Sequence, residues 1–157
     1  MSKLIIVLSA IITLSIFDVS NVNAMGNQDP KPVATNKDDF EVGKSAVYSG
    51  RFEEAIRLLI KVVNTEPKNA DAHNYLGYSY RKIGKVDLAA SSYQKVFAIN
   101  PDHKGALEYQ GELFLKQGNL SAANENLSRL KTLCPSGCKE LAELARAIAD
   151  YNAIRGN

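Results

Sequence analysis

The stretch NYLGYSYRKIGKVDLAASSYQKVFAINPD, from Asn74 to Asp102, decides the fold. It reads as two amphipathic segments with Gly84 between them and Pro101 after them. Leu76, Tyr80 and Ile83 recur at helical spacing in the first segment. Val86, Ala89, Ala90, Tyr93, Val96 and Phe97 do so in the second. Gly84 suits the end of the first helix, where the chain must turn left-handed without a Cβ clash. Pro101 stops the second helix by disfavouring the helical state of the residue before it.

The same punctuation recurs outward in both directions. Pro67, Pro101 and Pro135 fall at a period of 34 residues. Gly43, Gly77 and Gly111 share that period, as do Gly50, Gly84 and Gly118, and Ala55, Ala89 and Ala123. A glycine inside a helix costs about 1 kcal/mol relative to alanine. Close approach of a second helix compensates through added van der Waals contact. A single helical pair cannot bury its own apolar face, so a fixed period of this kind implies stacking of copies into one continuous core.

These marks resemble the tetratricopeptide repeat (TPR) family, a helix–turn–helix unit of this period. The second copy matches most fully, with His73 at a position where the family often has Trp, then Leu76-Gly77, Tyr80, Gly84, Ala89, Tyr93 and Pro101. The third keeps Gly111, Phe114, Gly118, Ala123, Leu127 and Pro135. The first has Asp39 and Ala46 at the Trp and Tyr positions but keeps Gly43, Gly50, Phe52, Ala55 and Pro67. The resemblance covers roughly Asn36 to Gly137. It implies an all-α solenoid of three repeats, over 36–69, 70–103 and 104–137, and a capping helix over 138–157. In the cap, Leu141, Leu144, Ala145 and Ile148 are expected to face the third repeat. Lys139, Glu140, Glu143, Arg146 and Asp150 are expected to face water.

Ahead of the repeats, residues 1–24 carry Lys3, an apolar run from Leu4 to Phe17 and the small-residue end Val22-Asn23-Ala24. That is the pattern of a secretory signal peptide. The run is shorter than the ~20 residues that span a bilayer, so no stable membrane insertion is expected after cleavage. Residues 25–35, MGNQDPKPVAT, read as a flexible leader. The chain is expected to be exported, to a bacterial periplasm, as small exported bacterial TPR proteins are.

Composition narrows the chemistry. The formal net charge is +2, with no Trp, 2 His and 2 Cys. Mixed charge without a basic stripe argues against nucleic acid as a partner. No nucleophile–base relay, metal-ligand set or phosphate loop is readable, so no enzyme activity and no cofactor are expected.

The TPR resemblance implies a concave face, lined by the first helix of each repeat, that binds a protein or peptide segment. Its expected lining is Phe40, Lys44, Val47 and Tyr48, then Asn74, Tyr78, Arg81 and Lys82, then Glu108, Glu112, Leu115 and Lys116. That set predicts apolar surface at the first repeat, cations at the second and carboxylates at the third. The ligand would carry an apolar anchor and charges of both signs. Some family members grip a C-terminal carboxylate with a cationic clamp. The matching positions here hold Phe40, Lys44, Tyr75, Gly105 and Tyr109, which departs from that clamp.

Cys134 and Cys138 flank Pro135 and Gly137 between the third repeat and the cap. In an oxidising compartment they favour a structural disulfide, and the resemblance to small exported TPR proteins supports one. A redox or metal carrier using the pair is the alternative, and a structural homo-oligomer is a third reading. His73 is expected to pack, and His103 falls in an inter-repeat turn.

Overall fold

The computed structural model describes residues 36–155. The expected signal segment and leader lie outside the described residues, as do the last two residues of the expected cap. Seven α-helices follow in order: α1 (Asn36–Tyr48), α2 (Phe52–Thr65), α3 (Ala70–Lys82), α4 (Val86–Ile99), α5 (Lys104–Lys116), α6 (Leu120–Leu133) and α7 (Lys139–Arg155). The described residues contain no strand.

The caps repeat as the sequence does. The Asn69 side chain accepts a hydrogen bond from the Ala72 N–H at 3.0 Å and Asn119 accepts one from the Ala122 N–H at 3.1 Å. His103 takes the same role in the turn before α5, its Nδ1 accepting from the Ala106 N–H at 3.1 Å. Each first helix ends on a glycine. At the end of α3, Gly84 has φ +79°, and the Lys85 N–H reaches back to the Tyr80 carbonyl at 2.8 Å. This is the left-handed helix stop that a β-carbon would strain.

The interior glycines explain the spacing of the helices. A β-carbon at Gly77 would lie 2.5 Å from the ring of Tyr93 on the antiparallel partner helix α4. At Gly43 it would meet Leu59 of α2 at 3.1 Å. Gly111 has a different partner. Its neighbour is Leu144 of α7, 2.6 Å from where the β-carbon would be. Tyr93, Leu59 and Leu144 are all fully buried, as are Ala55, Ala89 and Ala123.

The helices form two layers. α1, α3, α5 and α7 each touch the next in that series, whereas α2, α4 and α6 pack only against members of it. A layer whose members touch is shorter than one whose members are spread apart. The stack therefore curves with α1, α3, α5 and α7 on the inside.

The cap differs in detail from its expected pattern. Leu144 and Ile148 are buried and Leu141 is half-buried, but Ala145 is exposed. Its place is taken by Ala147 and Tyr151, which pack against the α5–α6 core. The seam runs Leu141, Leu144, Ile148, Tyr151, and Ala145 lies about 100° round the helix from Leu144. Glu140 and Glu143 are half-buried instead of facing water.

Cys134 ends α6 and Cys138 precedes α7. The pair is bridged, with Cα atoms 5.8 Å apart and Gly137 at φ +90° between them. The bridge closes a short loop and stabilises by about 2 kcal/mol on the chain-entropy account. Reduced protein should therefore unfold at lower denaturant than oxidised protein, with an unfolding free energy smaller by that amount. Equal midpoints would show that the bridge does not hold the cap.

Candidate functional site

The inner layer carries a run of aromatic rings that crosses repeat boundaries. Tyr75 of α3 lies between Phe40 and Tyr48 of α1, with ring centroids 6.2 and 6.1 Å away. The hydroxyls of Tyr48 and Tyr75 share a hydrogen bond at 3.0 Å. Tyr78, one turn along α3, packs on Phe52 at 6.0 Å and on Tyr109 of α5 at 4.6 Å. Offset and tilted ring pairs at such distances are attractive beyond their buried area. Burial raises the phenol pKa values of Tyr75, Tyr78 and Tyr109, so all three present neutral hydroxyls.

Cations lie over this wall. The Arg81 guanidinium is 5.1 Å from the Tyr78 ring centroid and 5.9 Å from that of Tyr109. Lys82 is 5.8 Å from both Phe52 and Tyr78. Arg81 also forms an ion pair with Glu112 of α5 at 2.5 Å. Its side chain is only 12% exposed, so that charge is spent between the repeats.

Glu108 is the second departure from the expected lining. It is 3% exposed, and its carboxyl is hydrogen-bonded to Glu143 of the cap. Burial first, then that bond, then the charges of Glu143, Glu112 and Glu140 raise its pKa to about 8. At neutral pH it is a carboxylic acid that donates a hydrogen bond.

The rest of the expected lining divides by exposure. Tyr48, Lys82 and Lys116 are exposed, and Phe40, Lys44, Tyr78, Arg81 and Glu112 are partly so. Val47, Asn74 and Leu115 are buried. Helical spacing alone reads those four-residue sets as a solvent face, but stacking covers the residue that points at the next repeat. The sequence also places Tyr75 and Tyr109 only in the unmatched clamp and leaves Phe52 out of the groove. The signal is present all the same: Tyr75 and Tyr109 share one repeat position. At the N-terminal ends of α3 and α5 the inner face opens into a recess of about 560 Å³. Lys68, Asp71, His103, Lys104 and Glu140 line it. There His103 Nε2 and Asp71 Oδ1 are 3.0 Å apart.

A model of the tetratricopeptide repeat matches residues 41–99 and 77–137. The chain belongs to the tetratricopeptide repeat family. This TPR chain is 28% identical over 101 residues to mouse DnaJ homolog subfamily C member 3, a match covering 64% of the chain and 20% of that protein. The chain spans a fifth or less of the length of the first curated relatives it matches. Among solved structures, a thermophilic TPR protein of Thermus thermophilus superposes with a TM-score of 0.67 at 20% identity, over 78% of this chain and 66% of that one. PcrH, solved in complex with the chaperone binding region of PopD, gives 0.64 at 18%, over 76% and 90%. At these identities the likeness establishes the TPR fold. Among the described residues, no group of three or more His, Cys, Asp or Glu is placed to hold a metal ion.

Proposed function

We propose that the chain is an exported, non-enzymatic TPR adaptor that holds a protein or peptide segment on its inner face as part of a cell-envelope complex. One observation carries the reading: ring contacts join three successive inner helices, Phe40 and Tyr48 of α1 to Tyr75 of α3, and Tyr78 of α3 to Tyr109 of α5, with Tyr48 at the edge 67% exposed. Apolar rings left at the surface of a concave solenoid face are what a bound segment would cover. The PopD region held by PcrH supports a bound segment on this fold. The signal pattern of residues 1–24 supports export.

The test is a cross-linking pull-down from native envelope. Tyr48→Ala with Lys82→Glu should lower recovery of the partner about tenfold, a loss of roughly 1.4 kcal/mol. Arg57→Glu, on the outer layer, should not change it. Equal recovery with all three proteins would remove the groove from the interaction. A fusion of residues 1–24 to a reporter active only after export checks the compartment. Replacing both cysteines by Ser separates an adaptor from a redox carrier: the adaptor keeps its partner at reduced stability.

A further inference from the structure

We propose that the segment held on the inner face is acidic, and that Lys82 and Lys116 receive it beside the aromatic wall. The inference rests on the groove reading above and adds the charge of its occupant. Most charges along the inner face have partners. Arg81 and Glu112 neutralise each other. Lys44 lies 3.9 Å from Glu41, and Asp39 lies 3.7 Å from Lys61 of α2. Asp71 meets His103 at the rim. Lys104 stands at the first turn of α5, the opposite end of that helix from Lys116. Glu108 is buried and hydrogen-bonded to Glu143, which also lies 3.8 Å from Lys139.

Lys82 and Lys116 are what remains beside the rings. Both are exposed, and neither stands in an ion pair among the described residues. They occupy the same position in successive repeats. The Lys116 ammonium donates to the Arg81 carbonyl at 3.4 Å, which puts it against the last turn of α3, where Lys82 sits. Lys82 in turn rests over Phe52 and Tyr78. Two uncompensated ammonium groups therefore flank a ring surface. Carboxylates spaced along an extended segment would pair with them while an apolar side chain covers the rings.

The buried acid sets a limit on pH. Glu108 faces Tyr109 and Glu112 on its own helix, Tyr78 on α3, and Glu140 and Glu143 on α7. Arg81 reaches this group through Glu112, and Lys139 through Glu143. When Glu108 ionises it adds a negative charge near the site, and an acidic segment should then bind less well.

Three short labelled peptides decide the matter by fluorescence anisotropy with the intact chain: one alternates Glu and Leu, one Lys and Leu, one Ser and Leu. The Glu peptide should bind about tenfold or more tighter than the other two, and more weakly as salt rises. Lys82→Glu with Lys116→Glu should abolish that preference at unchanged helical content. Binding of the Glu peptide should fall above about pH 8 in the natural chain and not in Glu108→Gln. Tighter binding of the Lys or Ser peptide, or indifference to the double reversal, overturns the acidic occupant and leaves a peptide groove. Failure of all three peptides to bind overturns both.

Discussion

Gly77→Val is expected to lower the stability of this protein by about 3 kcal/mol or more, enough to shift its Tm by on the order of 10 °C. Two effects oppose each other at this position. Replacing a helical glycine should help the helix, by up to about 1 kcal/mol even for alanine. Against that, the first added carbon would sit 2.5 Å from Cε1 and 2.8 Å from Cζ of Tyr93. That ring is fully buried between Ala89, Val96, Ala106 and Leu113, so it has no free direction in which to swing. The clash wins, and valine adds two methyl groups to it. Gly43→Ala provides the internal control. Its contacts would be Cγ of Leu59 at 3.1 Å, Cδ2 of Leu59 at 3.2 Å and Cβ of Leu58 at 3.3 Å, which ask a yield of a few tenths of an ångström. The propensity gain there should roughly cancel the cost. Chemical denaturation of the two variants reads the difference, and equal midpoints would refute close helix approach as the reason for these glycines.

Glu108→Gln should stabilise the protein at and above neutral pH and flatten its pH dependence. The folded-state pKa of Glu108 is about 8, against an ordinary value of 4.5. Between those values the folded chain holds a proton that the unfolded chain has released. Stability from this group is therefore full below about pH 4.5, falls as pH rises, and is lost by about pH 8. The whole loss is on the order of a few kcal/mol. Glutamine keeps a donor toward Glu143 without a titrating proton. Denaturant midpoints for both proteins should diverge from about pH 5 to about pH 8 and then run parallel. The natural chain should lie lower. Parallel curves throughout would mean that Glu108 is ionised at neutral pH. Because the acid joins α5 to α7, hydrogen exchange in α7 should quicken first as the natural chain is titrated upward.

Much of the fold is readable because its causes are local and periodic. Gly84 ends α3 for a reason contained in its own backbone, and Pro101 stands two residues beyond the end of α4 for a reason contained in its ring. Helical spacing picks out the stripe through Tyr93 and Val96, both fully buried. The cap is less legible. Leu144 and Ile148 can be read as its buried stripe, but Ala145 and Ala147 are equally small and equally apolar. Only the rotation at which α7 docks, set by Leu144 against Gly111, chooses between them.

The groove is legible as a set of positions and not as a set of charges. By sequence, cations gather on one repeat and carboxylates on the next. Arg81 and Glu112 lie far apart along the chain, and stacking of α5 on α3 joins them. Glu108 reads as an anion beside any other glutamate. It keeps its proton because burial removes water from it and the cap sets Glu143 opposite.

The amino-acid order alone determined that this chain folds as stacked helical pairs, because glycine, alanine and proline act on their own backbone and at a fixed period. Which side chains remain free to meet a partner was decided only by the packed structure. Burial and pairing depend on the distance between residues in separate repeats, and that distance exists only once one copy rests on the next.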